Sequence, residues 1–191
     1  MVKSLMSTPI SKVYRWTCDL ERDFGGRDPR TDGIREGLPL IFDVLDDYNV
    51  KALFFISTEV LTACPTVVRD ILKKGHEIGS HGHFHIKYKE PWRAELDRFI
   101  SCSILSQDCG LRDFEYRAPK FSYETDSVYS SQRNHVSLLK RLWLKQAIPE
   151  NPIFYLHPFD LISSIRHPDM FCSIWYSRSK EACKLFRKLV E

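Results

Sequence analysis

Apolar and polar residues follow two rhythms along this chain, a short continuous or alternating one and a 3.6-residue one, and the two take turns. Val13-Tyr14-Arg15-Trp16-Thr17-Cys18 is β-branched and aromatic and predicts a first strand ending at Asp19. Leu38, Ile41, Phe42 and Leu45 then recur at helical spacing, with Asp43, Asp46 and Asp47 opposite, and place Pro39 in the first turn of a helix that closes before Asn49. Val50 to Ile56 is a near-continuous apolar run, as expected of a parallel strand buried on both faces. Pro65 opens a second helix with Val68, Ile71 and Leu72 inward, Lys73 and Lys74 at its C-terminal dipole and Gly75 just beyond. A short strand at Glu77-Ile78-Gly79 comes next. Pro91 opens a third helix with Trp92, Leu96, Phe99, Ile100 and Ile104 on one stripe, stopped by Gly110. Phe114-Glu115-Tyr116 reads as a strand, Thr125 to Asn134 has no regular pattern, and Val136 to Leu144 reads as a helix. Ile153 to Leu156 and Phe171 to Tyr176 read as strands, and Lys180 to Val190 as a closing helix with Ala182, Leu185, Phe186 and Leu189 inward.

Strands alternating with helices in this way predict an α/β protein with a parallel sheet or barrel joined by crossover helices. The 191 residues carry no linker or internal repeat, so a single domain spanning 1–191 is expected. Charge adds only a limit: 28 basic and 25 acidic side chains are interspersed, with a net charge of +3, and no basic block points to nucleic acid. No apolar run approaches the roughly 18 residues of a membrane span, and the first sixteen residues lack a secretory apolar core, so a cytoplasmic protein is expected. Six cysteines without a C-x-x-C pair read as reduced, mostly core residues.

The chemistry concentrates where the predicted strands end. Glu77-Ile78-Gly79-Ser80-His81-Gly82-His83-Phe84-His85 packs three of seven histidines into five positions. Taken alone it fits either a metal site or a solvated polar loop. Asp19 and Glu21 stand two apart after the first strand, so extended backbone projects both the same way. His157 comes directly after the Phe154-Tyr155-Leu156 run, and Arg117 after the Glu115-Tyr116 one. In open α/β sheets active sites gather at the C-terminal strand ends, so these groups are expected to share one rim. Two histidines and a carboxylate around an open position are a common catalytic metal set.

The ordered set D-L-E-R-D, G-S-H-G-H-F-H, R-A-P-K-F-S and Y-L-H-P, with V-K-A-L-F-F-I between the first two, resembles the polysaccharide deacetylase superfamily (NodB homology, carbohydrate esterase family 4) over about residues 13–160. The acidic motif departs from the familiar T-F-D-D and is closer to the D-V-E variant of peptidoglycan deacetylase relatives and allantoinase-like amidases. The resemblance implies an incomplete, distorted (β/α) barrel that hydrolyses N-acetyl groups or related amides with a bound divalent metal, usually zinc. It implies Glu21, His81 and His85 as metal ligands, Asp19 as general base, Arg117 as the group orienting that base, and His157 as general acid. His83 is not among the ligands. Lys120 stands where the family usually has an aromatic residue, its backbone N–H helping to form the oxyanion hole.

The resemblance also marks a departure. Only thirty residues separate Ser122 from Ile153, where relatives carry a longer segment with an acidic or tryptophan-bearing motif that tunes the acid histidine. Glu124 and Asp126 are the nearby carboxylates, and without an acidic neighbour His157 is expected to titrate lower than in relatives. The leading expectation is a metal-dependent N-deacetylase acting on an N-acetylated sugar. The alternatives are an amidase for a small cyclic amide or ureide, and a carbohydrate-binding homologue that has lost turnover.

Overall fold

The computed structural model describes residues 15–26, 29–121, 129, 134–162 and 179–191. Within them, β1 (Trp16–Leu20), β2 (Leu53–Ile56), β3 (Glu77–Ser80), β4 (His135–Ser137) and β5 (Ile153–Leu156) form an open, all-parallel sheet in the order β3-β2-β1-β5-β4. The helices are a short α1 (Asp23–Gly26), α2 (Asp32–Asp47), α3 (Val67–Lys73), α4 (Pro91–Cys109), α5 (Leu138–Leu144) and α6 (Ser179–Val190). Single 3₁₀ turns at Thr58–Thr62 and Pro158–Leu161 come after β2 and β5. The α/β class and the unclosed barrel are as expected. No described helix is long and apolar enough to cross a membrane, and the described cysteines are free thiols. The expected strand at Phe171 to Tyr176 lies outside the described residues.

Period-two alternation divides β1 between two chemistries. Trp16, Cys18 and Leu20 join Phe54, Ile56, Phe154 and Leu156 in the main core under the helices. Trp16 stacks on Phe154 at 4.6 Å and meets Phe186 of α6 edge-on at 4.9 Å. Thr17 and Asp19 alternate with them, and their cross-strand partners Leu53 and Phe55 belong to a separate cluster with Tyr129 and Ile153. Register then sets the rim. Leu20 is level with Ile56 and Ile56 with Ser80, so Glu21 and His81 leave the sheet at the same height. Cys18 pairs with Leu156, which brings His157 level with Asp19.

Four elements differ from the sequence reading. Helix α2 begins at Asp32, well before Leu38, because the Asp23 carboxylate accepts the Asp32 and Gly33 amides at 3.0 and 2.9 Å and caps the helix from outside it. Pro39 therefore lies inside the helix, where it lacks an amide to donate back one turn. Residues 135–137 form β4 instead of helix because they pair with β5, and α5 starts only after the Ser137 hydroxyl accepts the Lys140 amide. Phe114–Tyr116 contributes one bridge to Ser80 and no ladder. The stripe of α4 faces outward: Trp92 and Phe99 are 62% and 69% exposed, with Leu96 and Ile100 also exposed, while Ala94, Asp97, Ser101 and Leu105 are buried.

The turn that carries His157 is seated on α2. A Cβ at Gly37 would overlap the Pro158 carbonyl, and one at Gly33 would meet Phe159 Cβ at 2.8 Å. Only glycine allows this approach. Gly37→Ala should force α2 off the turn, destabilising the protein by about 1–3 kcal/mol. In calorimetry that is a drop of roughly 3–10 °C in Tm; an unchanged Tm would mean that the turn moves away freely.

Candidate metal and catalytic site

Six sequence-predicted residues, Asp19, Glu21, His81, His85, Arg117 and His157, converge on the rim. Glu21 is buried just past β1, and His81 and His85 sit on the loop after β3. His85 Nε2 is 2.6 Å and His81 Nε2 3.4 Å from Glu21 Oε2. The donor atoms of the three residues lie within 4.8 Å of one another. His83, two residues from each ligand histidine, turns instead to the Thr58 hydroxyl at 2.9 Å and packs on Phe84.

The chemistry of this trio decides which group fits between them. His81 Nδ1 is 2.7 Å from the Arg117 carbonyl, which can only accept, so Nδ1 donates there and Nε2 is the nitrogen turned toward Glu21. Glu21 Oε2 is buried and faces both imidazole nitrogens without a well-angled hydrogen bond to either. Burial opposes ionisation of Glu21, yet the facing imidazoles of His81 and His85 hold its carboxyl far below the usual range. Two imidazoles, one carboxylate and a carbonyl that orients a ligand histidine are the donor set of a divalent transition metal.

Arg117 occupies the next position inward and is fully buried. Its Nη1 donates to Asp19 Oδ1 at 2.5 Å, Nη2 to Thr17 Oγ1 at 2.9 Å and Nε to the Tyr129 carbonyl at 3.2 Å, and the guanidinium lies 4.3 Å from the Phe55 ring centroid. Nη2 also faces His135 Nε2 at 3.3 Å, which makes that nitrogen the acceptor. Burial pushes the Asp19 pKa up, but the Arg117 charge, helped by His81 and His157, outweighs it and leaves the carboxyl below its ordinary value. His135 was not anticipated. It falls between a stretch without regular pattern and a predicted helix, and only β4–β5 pairing brings it here.

His157 closes the site from β5, with Nε2 3.6 Å from Glu21 Oε1 and 22% of its side chain exposed. The expectation that it lacks an acidic neighbour is overturned. Asp160, one 3₁₀ turn later, accepts the His157 amide at 2.8 Å and places the same oxygen 3.4 Å from Nδ1. Burial works against the imidazolium, but Asp160, then Glu21 and Asp19, raise the His157 pKa to about 9. Glu124 and Asp126 lie outside the described residues. A carboxylate three residues beyond a strand-end histidine in H-P-F-D was the local signal for Asp160. Lys120 has an exposed side chain, sits at φ 56°, and forms no hydrogen bond or ion pair among the described residues.

Comparison with known proteins fits this geometry. A family model described as "Polysaccharide deacetylase" matches residues 31–135, more than half of the chain. The chain belongs to the polysaccharide deacetylase family. The matched span includes His81, His85, Arg117 and Lys120, whereas Asp19, Glu21 and His157 fall outside it. A peptidoglycan-N-acetylglucosamine deacetylase of Bacillus cereus is 42% identical over 50 residues, 26% of this chain and 18% of the relative, so the chain matches less than a fifth of that protein. Solved structures share the fold. The Bc1960 peptidoglycan N-acetylglucosamine deacetylase superposes with a TM-score of 0.56 at 20% identity, over 91% of this chain and 81% of its own. The peptidoglycan deacetylase PdaC of Bacillus subtilis gives 0.55 at 19%, over 96% and 87%. BA3943 of Bacillus anthracis, a CE4 family pseudoenzyme, gives 0.55 at 13%, over 91% and 60%. Within this family the fold therefore accompanies both active and inactive sites.

The structure raises the His157 pKa, and its carboxylate neighbours set the sign. With Asp160 removed, the imidazolium loses its main support. In the metal-free protein, Asp160→Asn should lower the His157 pKa from about 9 by at least one unit, read by NMR titration of the ring protons. An unmoved titration would show that Asp160 only caps the turn.

Proposed function

We propose that this chain is a divalent-metal-dependent hydrolase that removes N-acetyl groups from an N-acetylated sugar or polysaccharide, with residues 1–191 acting as one catalytic domain. The observation that carries the reading is the gathering of His81 Nε2 and His85 Nε2 on the buried Glu21 Oε2, at 3.4 and 2.6 Å, with the three donor atoms within 4.8 Å of one another. Glu21, His81 and His85 would hold the ion, with zinc the expected metal. Bound there, it supplies Lewis-acid activation of water and polarisation of the amide carbonyl.

The remaining steps belong to the chain. Asp19, kept ionised by Arg117, accepts the proton of the attacking water as its oxygen adds to the acetyl carbonyl carbon. Arg117 is itself held on Thr17, Tyr129 and His135, so the base cannot swing away from the rim. The Lys120 backbone N–H is assigned to the oxyanion that develops on the former carbonyl oxygen. An amine leaves an amide carbon only once it is protonated. His157, charged near neutral pH through Asp160, delivers that proton as the C–N bond breaks, and acetate and a free amino sugar result. The partly exposed His157 leaves that side of the site open to a carbohydrate chain.

Purified protein should hold about one divalent ion per chain by elemental analysis, and His81→Ala or His85→Ala should abolish stoichiometric binding. Full occupancy in both variants would remove the metal assignment. Asp19→Asn should keep the metal and lower acetate release from N-acetylglucosamine oligomers roughly 10²- to 10⁴-fold. Turnover of a small ureide without acetate release would instead favour the amidase, and sugar binding without either product a homologue that has lost catalysis.

A further inference from the structure

The sequence pattern and the packing of α4 disagree in a way that points to a task. This helix exposes Trp92, Leu96, Phe99 and Ile100 and turns Asp97 and Ser101 inward. Burying a carboxylate while leaving large apolar groups in solvent is unfavourable in both terms, so the inward groups must be held by the partners they bind.

Asp97 binds the loop between the two ligand histidines. Its Oδ2 accepts the His83 amide at 2.8 Å, and its Oδ1 accepts the Phe84 amide at 3.2 Å and the Tyr88 hydroxyl at 3.0 Å. Consecutive amides turned onto one anion form a backbone nest, and that curvature needs a left-handed residue at its entrance. Gly82 supplies it at φ 80°, and any Cβ there would collide with Asp97 Oδ2. The other side of the loop is pinned as well: the Thr58 and Glu59 amides donate to the Gly82 and His83 carbonyls at 3.1 Å each. The loop is thus held by its carbonyls on the turn after β2 and by its amides on α4.

We propose that Asp97 is the positioning residue of the metal site. Its carboxylate folds Gly82–Phe84 into the turn that brings His81 and His85 onto the same Glu21 oxygen, and it acts on catalysis only through those ligands. The proposal rests on the reading of Glu21, His81 and His85 as a metal site. It separates Asp97 from Leu105, a fully buried residue on the same inward face that contributes packing alone.

Asp97→Asn keeps shape and one acceptor oxygen and turns the other atom into a donor facing an amide. Zn²⁺ titration should show an affinity roughly 10- to 100-fold weaker than wild type. The visible spectrum of the Co²⁺-loaded protein should change in band position, and KM at saturating metal should stay put. Leu105→Ala should lower Tm while leaving Zn²⁺ affinity unchanged. A Zn²⁺ affinity for Asp97→Asn within twofold of wild type, or an equal loss in Leu105→Ala, overturns the proposal. If wild-type protein takes up no Zn²⁺, the metal reading fails on its own. Asp97 is then judged from hydrogen exchange of the His83 and Phe84 amides in the metal-free protein: faster exchange in Asp97→Asn upholds its hold on the loop, and unchanged protection overturns it.

Discussion

A single buried guanidinium ties the site together. Arg117 has no access to solvent, so its charge requires an ionised partner inside the protein, and Asp19 is that partner. Breaking such a pair by removing one member generally costs about 3–5 kcal/mol, because the other charge stays buried. The same residue acts through its backbone: its N–H donates to the Ser80 carbonyl at 3.0 Å and its carbonyl orients His81. Asp19 on β1 and His81 after β3 are therefore both held by one residue.

The sheet explains why so many polar groups tolerate burial. β1 is central, buried on both faces, and divides its side chains between an apolar layer under the helices and a polar layer carrying Thr17 and Asp19. Every buried charge described in the polar layer finds an opposite charge or a fixed dipole. Among the described residues, the buried side-chain atoms left without a well-formed hydrogen bond are Glu21 Oε2, His76 Nε2, Gln146 Oε1 and Asp160 Oδ1.

A family fold that supports deacetylases and a pseudoenzyme alike places the burden of function on a few groups. In this chain His157 keeps a carboxylate neighbour, Asp160, taken from its own 3₁₀ turn. Gly37 and Gly33 of α2 let that turn sit close to the helix, so the placement of His157 depends on a packing contact remote from the metal ligands.

Residue order alone was enough for the α/β class, for β2, β3 and β5, for the closing helix, and for a rim bearing Asp19, Glu21, His81, His85, Arg117 and His157. Those features are local: a buried parallel strand is a run of apolar residues, and the residues next in the chain stand at the rim. The misreadings share a different cause. The start of α2 depends on a cap from Asp23, β4 exists because β5 is beside it, and α4 turns its apolar stripe outward because Asp97 has a loop to hold. His135 and Asp160 join the site through pairing and turn geometry, and the proton on His81 is assigned by a carbonyl 36 residues away. Periodicity records which face of an element is apolar. Which face is buried, and which lone pair meets which charge, is decided by neighbours distant in sequence, and those exist only once the chain has folded.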